Sequence, residues 1–393
     1  MAALQAFGTL VLLYWIYNIF RIIPNYMKAR KCGFPIFVAP IEHISPFWII
    51  LSPFILPICK RILPYVLWRP LDLSTYGHEW RDYVAGRTRP PALMLVSPGR
   101  LDLYVEDPVI ANTVLSERKN YPMDEISMKF LSVVGPNILS SEGEDWQRQR
   151  RLIAPMLNER IMEKVWSESQ RQAEDMLTSF LRDGGTTTGT VEGLKRIAFN
   201  VLQCVGYGMP QRWSENVREV RPGHKLAYME ALHELVDGFI LIALIRSSTI
   251  LKMPFMPTIL KRKGYALEDF LLYTKEMLEK EQKARNESDE PRNTLLSLLS
   301  TISETHANAK GSNSLTNEKH TLSSGEIIGN LYQFTLAGFD TTATTLSYAV
   351  TTLAARPEWQ DWIMEEVDQV RELDGKYAEV FPRLERCLAL MVR

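Results

Sequence analysis

The residues best suited to chemistry lie in one unusual stretch, from Ser323 to Leu353. Its centre, residues 337–342, has the sequence AGFDTT. A glycine such as Gly338 lets another group approach the backbone closely. A threonine hydroxyl one turn later, that of Thr341, can hydrogen-bond such a group or open the local helix ladder. Asp340 beside it can deliver protons through water. The pattern therefore indicates a place where a small group is held against the backbone and receives protons.

This stretch is predicted to be one long helix although its centre is poor helix material. Ser323 followed three residues later by Glu326 forms a capping box, which predicts a helix start. Gly338 costs about 1 kcal/mol relative to alanine, and the threonines that follow are β-branched. Gly338, Thr341 and Thr345 share a helix face. A tight crossing of two helices would explain the small residues as well as a chemical site does.

A second candidate site lies upstream, where Trp146 and Arg150 are one helical turn apart and share a face. Ser141 and Glu144 predict a capping box at the start of that helix. Arginine is suited to bidentate binding of a carboxylate. Taken alone, a solvated basic helix face is the simpler interpretation of the arginines in this region.

Together the two segments resemble the signatures of the cytochrome P450 family. Residues 337–342 resemble its oxygen-activation motif, in which a small residue and glycine are followed by any residue, an acid and two threonines. Trp146 and Arg150 resemble its Trp-x-x-x-Arg signature, whose two residues hydrogen-bond a haem propionate. Gln149 stands where the family often has histidine, a mild departure.

The resemblance implies a mainly α fold with a small β-sheet and a haem b cofactor. By family analogy, Ala337 and Gly338 leave room for dioxygen over the haem. Thr341 would supply the hydroxyl for oxygen activation, and Asp340 would feed the proton relay. Further similarity at 356–370 and 381–393 resembles the two helices that follow the oxygen helix in the family.

The function implied is that of a haem-thiolate monooxygenase, which inserts one oxygen atom into a lipophilic small molecule. Electrons would come from NADPH through NADPH–cytochrome P450 reductase, and fungal secondary metabolism is a natural setting. The alternative is a catalytically inactive, truncated relic or a membrane-bound fragment without haem chemistry. Whether the chain is itself an enzyme is therefore left open at this point.

The cysteine that ligates iron in the family has no counterpart in the sequence. The family's Glu-x-x-Arg pair and its ligand loop would follow Arg393. Cys387 is the only cysteine after the oxygen helix, and it lies in a helical context without the glycines of that loop. We assign no metal ligand and expect an incomplete fold, so the chain alone should be unstable and bind little haem.

The N-terminal segment is predicted to be a single-pass membrane anchor over residues 2–23. It is uncharged to Phe20 and just long enough to span a bilayer. The bases that follow would remain cytosolic, which places the catalytic domain on the cytosolic side of the endoplasmic reticulum membrane. A cleaved signal peptide would need a basic start and a small-residue cleavage site, which are lacking.

The rest divides into a juxtamembrane hinge and interfacial segment, 24–79, and a P450-like domain, 80–393, without its C-terminal haem-ligand portion. Leu93–Val105 predicts two short strands around Pro98 and Gly99. Apolar periodicity predicts helices in much of the remainder. These helices span Asp107–Glu117, Glu159–Leu181, Val191–Val205, Lys225–Ile245 and Leu267–Lys283.

Charge and cysteine content exclude several other classes of protein. The formal net charge is -1 and no basic stripe is interleaved with aromatics, so nucleic acid is not an expected partner. The four cysteines are scattered and form no CxxC pair, which argues against a zinc site.

Overall fold

The computed structural model describes residues 2–75, 92–117, 119–213, 219–245, 247–287, 294–299, 301, 321–371 and 376–392. The elements named below are α1 (Ala2–Arg30), β1 (Ile36–Val38), α2 (Pro46–Ile62), α3 (Tyr65–Leu73), β2 (Ala92–Val96), β3 (Leu101–Val105), α4 (Pro108–Ser116), α5 (Glu125–Leu131), α6 (Gly143–Ile153), α7 (Glu159–Arg182), α8 (Thr190–Tyr207), α9 (Tyr228–Leu244), α10 (Ser247–Lys252), α11 (Thr258–Glu287), α12 (Ser324–Ala355), α13 (Pro357–Arg371), α14 (Tyr377–Val380) and α15 (Glu385–Val392). The fold is mainly helical with a small sheet, as predicted.

The chain divides into two compact units, Met1–Pro122 and Met123–Arg393. The predicted boundary between 79 and 80 lies outside the described residues, so that division stays a prediction. The second unit contains both candidate segments.

The first unit contains a three-stranded sheet in the order β1-β2-β3. β1 and β2 are parallel, whereas β2 and β3 are antiparallel with Ala92 opposite Val105. The two strands predicted around Pro98 and Gly99 are thus confirmed. All of β2 is buried, because one face packs on Ala29 of α1 and the other on Ala39.

The N-terminal segment is helical, but its predicted crossing of a membrane is not supported. α1 continues through Pro24 as far as Arg30. Throughout the described ranges, no helix combines the length and the apolar character that a membrane span requires. Polar groups such as Gln5 and Asn18, with several tyrosines, reduce the mean hydropathy of this segment.

The second unit is built around α12, which is 32 residues long. α12 packs on α8, and α8 packs on α7, while α9 packs on α11. One apolar cluster joins Leu331 of α12 to Tyr273 and Met277 of α11. A second joins Phe339 of α12 to Phe199 of α8 and to α9.

The helices predicted from apolar periodicity all form, with shifted ends. α11 shows the largest difference, since it begins at Thr258 rather than Leu267. Asp107 caps α4 by accepting hydrogen bonds from the N–H groups of Val109 and Ile110. The helices are therefore where the pattern places them, and their ends depend on local caps.

Candidate functional site

The face of α12 that carries the motif is open, and the opposite face is buried. Leu331, Thr335, Phe339 and Ala343 follow each other at one-turn intervals on the buried side. The predicted capping box at Ser323 and Glu326 is present with both of its hydrogen bonds. The helix start and the helix packing therefore fix which residues the open face presents.

Ala337, Thr341 and Thr345 lie on the open face. The Thr341 hydroxyl donates to the Ala337 carbonyl oxygen at 2.5 Å, and that of Thr345 donates to the Thr341 carbonyl at 2.8 Å. Each hydroxyl thus bonds the carbonyl one turn before it, an arrangement that competes with the helix ladder. The oxygen of Thr341 keeps acceptor capacity toward the open side. Asp340 is half-buried beside it.

Gly338 lies at the packed edge of this face. A Cβ atom there would lie 3.5 Å from Leu202 Cδ1 of α8, which is ordinary van der Waals contact. The closest contact made by a glycine of α12 is instead at Gly329, which lies against the backbone oxygens of Gly135 and Pro136 in the loop between α5 and α6. Tight packing against a loop thus explains the glycine at 329, whereas the contact of Gly338 with α8 is not close enough to require a glycine.

Trp146 and Arg150 do share a face of α6. The Arg150 guanidinium lies 5.2 Å from the centre of the Trp146 ring, within the range of a cation–π contact. Trp146 is half-buried and Arg150 is exposed. The Trp146 indole therefore holds the Arg150 guanidinium in place, and the guanidinium remains accessible to an anion.

The predicted capping box at Ser141 and Glu144 is wrong. The helix begins at Gly143, and its N-cap residue, Glu142, makes no side-chain cap. Ser141 is engaged elsewhere, since its hydroxyl donates to the Asn137 carbonyl and accepts from Gln149 Nε2 at 2.7 Å. A tertiary hydrogen bond thus replaces the local cap.

A buried polar network joins α6 to the start of α12, and it is the feature that sequence reasoning missed. Arg148 Nη2 donates to Glu326 Oε1 at 2.5 Å, and Nη1 donates to the Thr321 carbonyl at 2.7 Å. Gln149 is fully buried and accepts from Asn330 Nδ2 at 2.9 Å. The position between Arg148 and Arg150, occupied by glutamine where the family often has histidine, was the available signal.

The charges of this network stabilise each other. Burial raises the pKa of the Glu326 carboxyl, but hydrogen bonds from Arg148 and Ser323 outweigh burial and hold it below its ordinary value. The hydrogen bond to Glu326 raises the pKa of Arg148. Both groups are therefore ionised at neutral pH, and the pair fixes the register of α6 on α12.

The two predicted groups are held on one scaffold but do not touch in the described structure. Asn330, where α6 meets α12, precedes Thr341 by eleven residues, which is about 16 Å along an α-helix. Trp146 and Arg150 lie at one end of this span, and Ala337 and Thr341 lie at the other. The two groups therefore lie on two helices, α6 and α12, that are joined by the hydrogen bond from Asn330 to Gln149.

Cys387 lies in α15, a short helix that packs on α13 and also contacts α12. The backbone N–H groups of Arg386 and Cys387 both donate to the Glu366 carboxylate, at 2.7 and 3.1 Å. Burial raises the pKa of the Cys387 thiol, and Glu366 raises it further. The thiol is therefore protonated at neutral pH and poorly suited to bind a metal.

Comparison with known proteins gives a consistent picture. The family model described as Cytochrome P450 matches residues 88–380. The phomenoic acid biosynthesis cluster cytochrome P450 monooxygenase of Leptosphaeria maculans is 28% identical, over all of this chain and 70% of its own length. Cytochrome P450 monooxygenase ORF6 of Penicillium roqueforti and cytochrome P450 monooxygenase prx9 of Penicillium rubens are each 27% identical, over 95% of this chain. The chain spans 64% of the length of both Penicillium proteins.

Proposed function

The chain belongs to the cytochrome P450 family. On that basis we propose that it acts as a monooxygenase in fungal secondary metabolism. The reaction inserts one oxygen atom into a lipophilic small molecule. The proposal depends on two features that lie on helices joined by Glu326. One is the open Ala337–Thr341 face, and the other is Arg150, whose guanidinium is held by a cation–π contact. Relatives that are monooxygenases by name favour this function over an inactive fragment.

The described residues fit two sides of a haem. Arg150, exposed and backed by Trp146, suits a propionate because a guanidinium binds carboxylates through two parallel hydrogen bonds. Ala337 leaves the open face free of bulk. When bound, the haem would supply the binding and activation of dioxygen. Among the described cysteines we assign no iron ligand, because Cys387 is held in a helix with its thiol protonated.

In the proposed reaction, the residues of the chain hold and move protons. The Thr341 oxygen can accept a hydrogen bond on the open side while its own proton is held by the Ala337 carbonyl. Asp340, one residue earlier and half-buried, can pass protons from solvent to that side.

Replacing Arg150 by leucine is expected to weaken haem binding at least tenfold, since a hydrogen bond to a charged group contributes about 1.5–3 kcal/mol. The measurement is a haem titration of the purified chain, followed by absorbance. Arg151→Leu is the matched control, because Arg151 is exposed on the same helix, and among the described residues the cation–π contact with Trp146 belongs to Arg150. Equal affinity in both variants would refute the role of Arg150.

Monooxygenase activity itself is tested with the chain in membranes, NADPH, a P450 reductase and dodecanoic acid as a lipophilic probe. Because no iron ligand is assigned among the described cysteines, the yield tests whether this chain carries out the reaction by itself, and a hydroxylated product that contains one atom from labelled dioxygen would show that it does. Thr341→Ala should reduce its yield tenfold or more, as for loss of a proton-transfer group. Thr351→Ala, an exposed threonine further along α12, should not. No labelled product from the unmodified chain would contradict the proposed activity.

We further propose that the chain works at the cytosolic face of the endoplasmic reticulum membrane, with NADPH–cytochrome P450 reductase as its electron donor. The membrane contact in this proposal is supported by an exposed apolar stripe along α1, whose members are spaced by three or four residues. The stripe consists of Leu13, Ile16, Phe20, Ile23 and Met27. A helix with such a stripe can lie in the interfacial region of a bilayer.

Phe20→Asp is expected to lower the fraction of chain bound to phosphatidylcholine vesicles about tenfold, because a buried phenylalanine side chain contributes roughly 1.5–3 kcal/mol. Flotation of vesicles through a density gradient measures that fraction. Tyr14→Asp is the control, since Tyr14 is exposed but lies off the stripe. If both variants bind like the unmodified chain, α1 is not the attachment site.

A further inference from the structure

A groove rich in arginine lies between the second half of α7, the first half of α8 and the segment that follows α8. It encloses about 450 Å³, a volume in the range of small-molecule sites. Its described lining consists of Arg171, Asp175, Thr178, Ser179, Arg182, Arg196, Arg212 and Trp213. Guanidinium groups therefore outnumber carboxylates in this lining by four to one. We call it the arginine groove.

The carboxylates at this groove are engaged by a single arginine. Arg171 donates hydrogen bonds to both oxygens of Glu168, at 2.9 and 2.5 Å, and a further one to Asp175 at 3.5 Å. In the described part of the chain, no carboxylate forms an ion pair with the three remaining arginines of the groove, which are Arg182, Arg196 and Arg212. The groove therefore has an excess of positive charge.

One of these three arginines is held in position by its neighbours. Arg196 Nη1 donates to the Trp213 carbonyl oxygen at 3.0 Å, and the guanidinium lies 5.0 Å from the centre of the Trp213 ring. The indole is itself fixed by an edge-on contact with Phe180, with ring centres 6.3 Å apart. A guanidinium has five N–H donors, so most of those on Arg196 remain for a ligand. Because the side chain is already ordered, binding costs little conformational entropy.

This local excess of positive charge contrasts with the balanced composition of the whole chain, whose formal net charge is -1. Residues 214–218, which follow Trp213, lie outside the described residues, and their one glutamate and one arginine cancel in formal charge. Like charges that share a cleft repel each other, but they also focus the field and raise the local concentration of anions. The groove is therefore suited to an anionic ligand.

We propose that the arginine groove binds a small molecule through a phosphate or diphosphate group. A guanidinium matches the oxygens of a phosphate with two parallel hydrogen bonds. The hydroxyls of Thr178 and Ser179 line the same groove and can donate to further phosphate oxygens. The site is independent of the proposed monooxygenase activity, because its lining includes neither the open face of α12 nor Arg150.

The test is isothermal titration calorimetry of the purified full chain with inorganic pyrophosphate at low ionic strength. We expect saturable binding at one site. Arg182→Gln and Arg212→Gln, which replace exposed side chains, should each weaken it about tenfold, the effect of a lost hydrogen bond to a charged group. Arg160→Gln is the matched control, because Arg160 is an exposed arginine of α7 outside the groove lining and its loss changes the net charge equally.

A second measurement separates two sources of the phosphate group, a soluble molecule and a lipid headgroup. It compares flotation of the chain with phosphatidylcholine vesicles that contain or lack phosphatidylinositol 4-phosphate. If Arg182→Gln reduces the preference for the phosphorylated lipid, a headgroup reaches the groove. If that variant loses affinity for pyrophosphate alone, the ligand is soluble.

Three results would overturn the proposal. The first is an absence of saturable pyrophosphate binding by the unmodified chain. The second is an equal loss in Arg160→Gln, since a general attraction of anions would then explain the binding. The third is a short polyglutamate peptide that binds more tightly than pyrophosphate and loses affinity in the same groove variants, which would indicate an acidic protein partner. Circular dichroism of each variant confirms that it is folded before titration.

Discussion

Glu326→Ala is expected to lower the free energy of unfolding by about 3 kcal/mol, as for a buried ion pair that loses one partner. The Glu326 carboxylate accepts hydrogen bonds from Arg148, from Gln149 and from the N–H and hydroxyl of Ser323. Its side chain is 10% exposed and that of Arg148 is 19% exposed. Removing the carboxylate leaves a poorly solvated guanidinium and also deletes the capping box of α12.

Urea denaturation followed by tryptophan fluorescence measures this loss. Glu279→Ala is the control, because Glu279 forms an exposed pair with Lys275 one turn away. Exposed pairs contribute about 0.2–1 kcal/mol, so this variant should stay close to the unmodified chain. Equal effects in the two variants would show that the network joining α6 to α12 does not stabilise the fold.

The same carboxyl predicts a dependence on pH. Its pKa in the folded chain lies below the ordinary 4.5, because the hydrogen bonds from Arg148 and Ser323 outweigh burial. A carboxyl with a lowered pKa stabilises the fold above its unfolded pKa and loses that effect as the pH falls through the folded value. The difference in stability between the unmodified chain and Glu326→Ala should therefore be full at pH 7 and shrink below about pH 4.5.

Local sequence signals predicted those parts of the fold whose structure is determined locally. The β2–β3 hairpin follows from alternating apolar residues around Pro98 and Gly99, and the start of α12 follows from Ser323 and Glu326. These signals succeed because neighbours in sequence make the hydrogen bonds concerned. The capping box at Ser141 failed for the opposite reason, since Gln149, eight residues away, takes the Ser141 hydroxyl.

Tertiary contacts were beyond the reach of pattern alone. The sequence pattern placed Arg148 on a solvated basic face. In the structure Arg148 instead donates a hydrogen bond to Glu326, and Arg150 is the exposed arginine. Nothing in the spacing distinguishes the two, because either can point toward α12 until the rotation of α6 is known. The sequence pattern likewise did not indicate that Gly329 is important for packing, although Gly329 makes a closer contact than Gly338.

The contrast between these two glycines gives the second large prediction. Gly329→Ala should lower the free energy of unfolding by about 2 kcal/mol, within the range for an overpacked core. A Cβ atom at this position would collide with the backbone oxygens of Gly135 and Pro136. Backbone atoms cannot rotate away as a side chain can, so the segment 135–136 must move off α12.

Gly338→Ala is the matched variant, with the same substitution on the same helix and the opposite expected sign. The new methyl would meet only Leu202 at 3.5 Å, so the gain in helix propensity of about 1 kcal/mol should remain. Urea denaturation of both variants measures the change in the free energy of unfolding. If Gly338→Ala is more stable and Gly329→Ala is less stable than the unmodified chain, Gly329 is required for packing and Gly338 lowers the stability of the fold. A glycine that lowers stability at position 338 favours a functional role on the open face. Equal destabilisation would instead make both glycines packing residues and remove the structural argument that Gly338 belongs to the oxygen site.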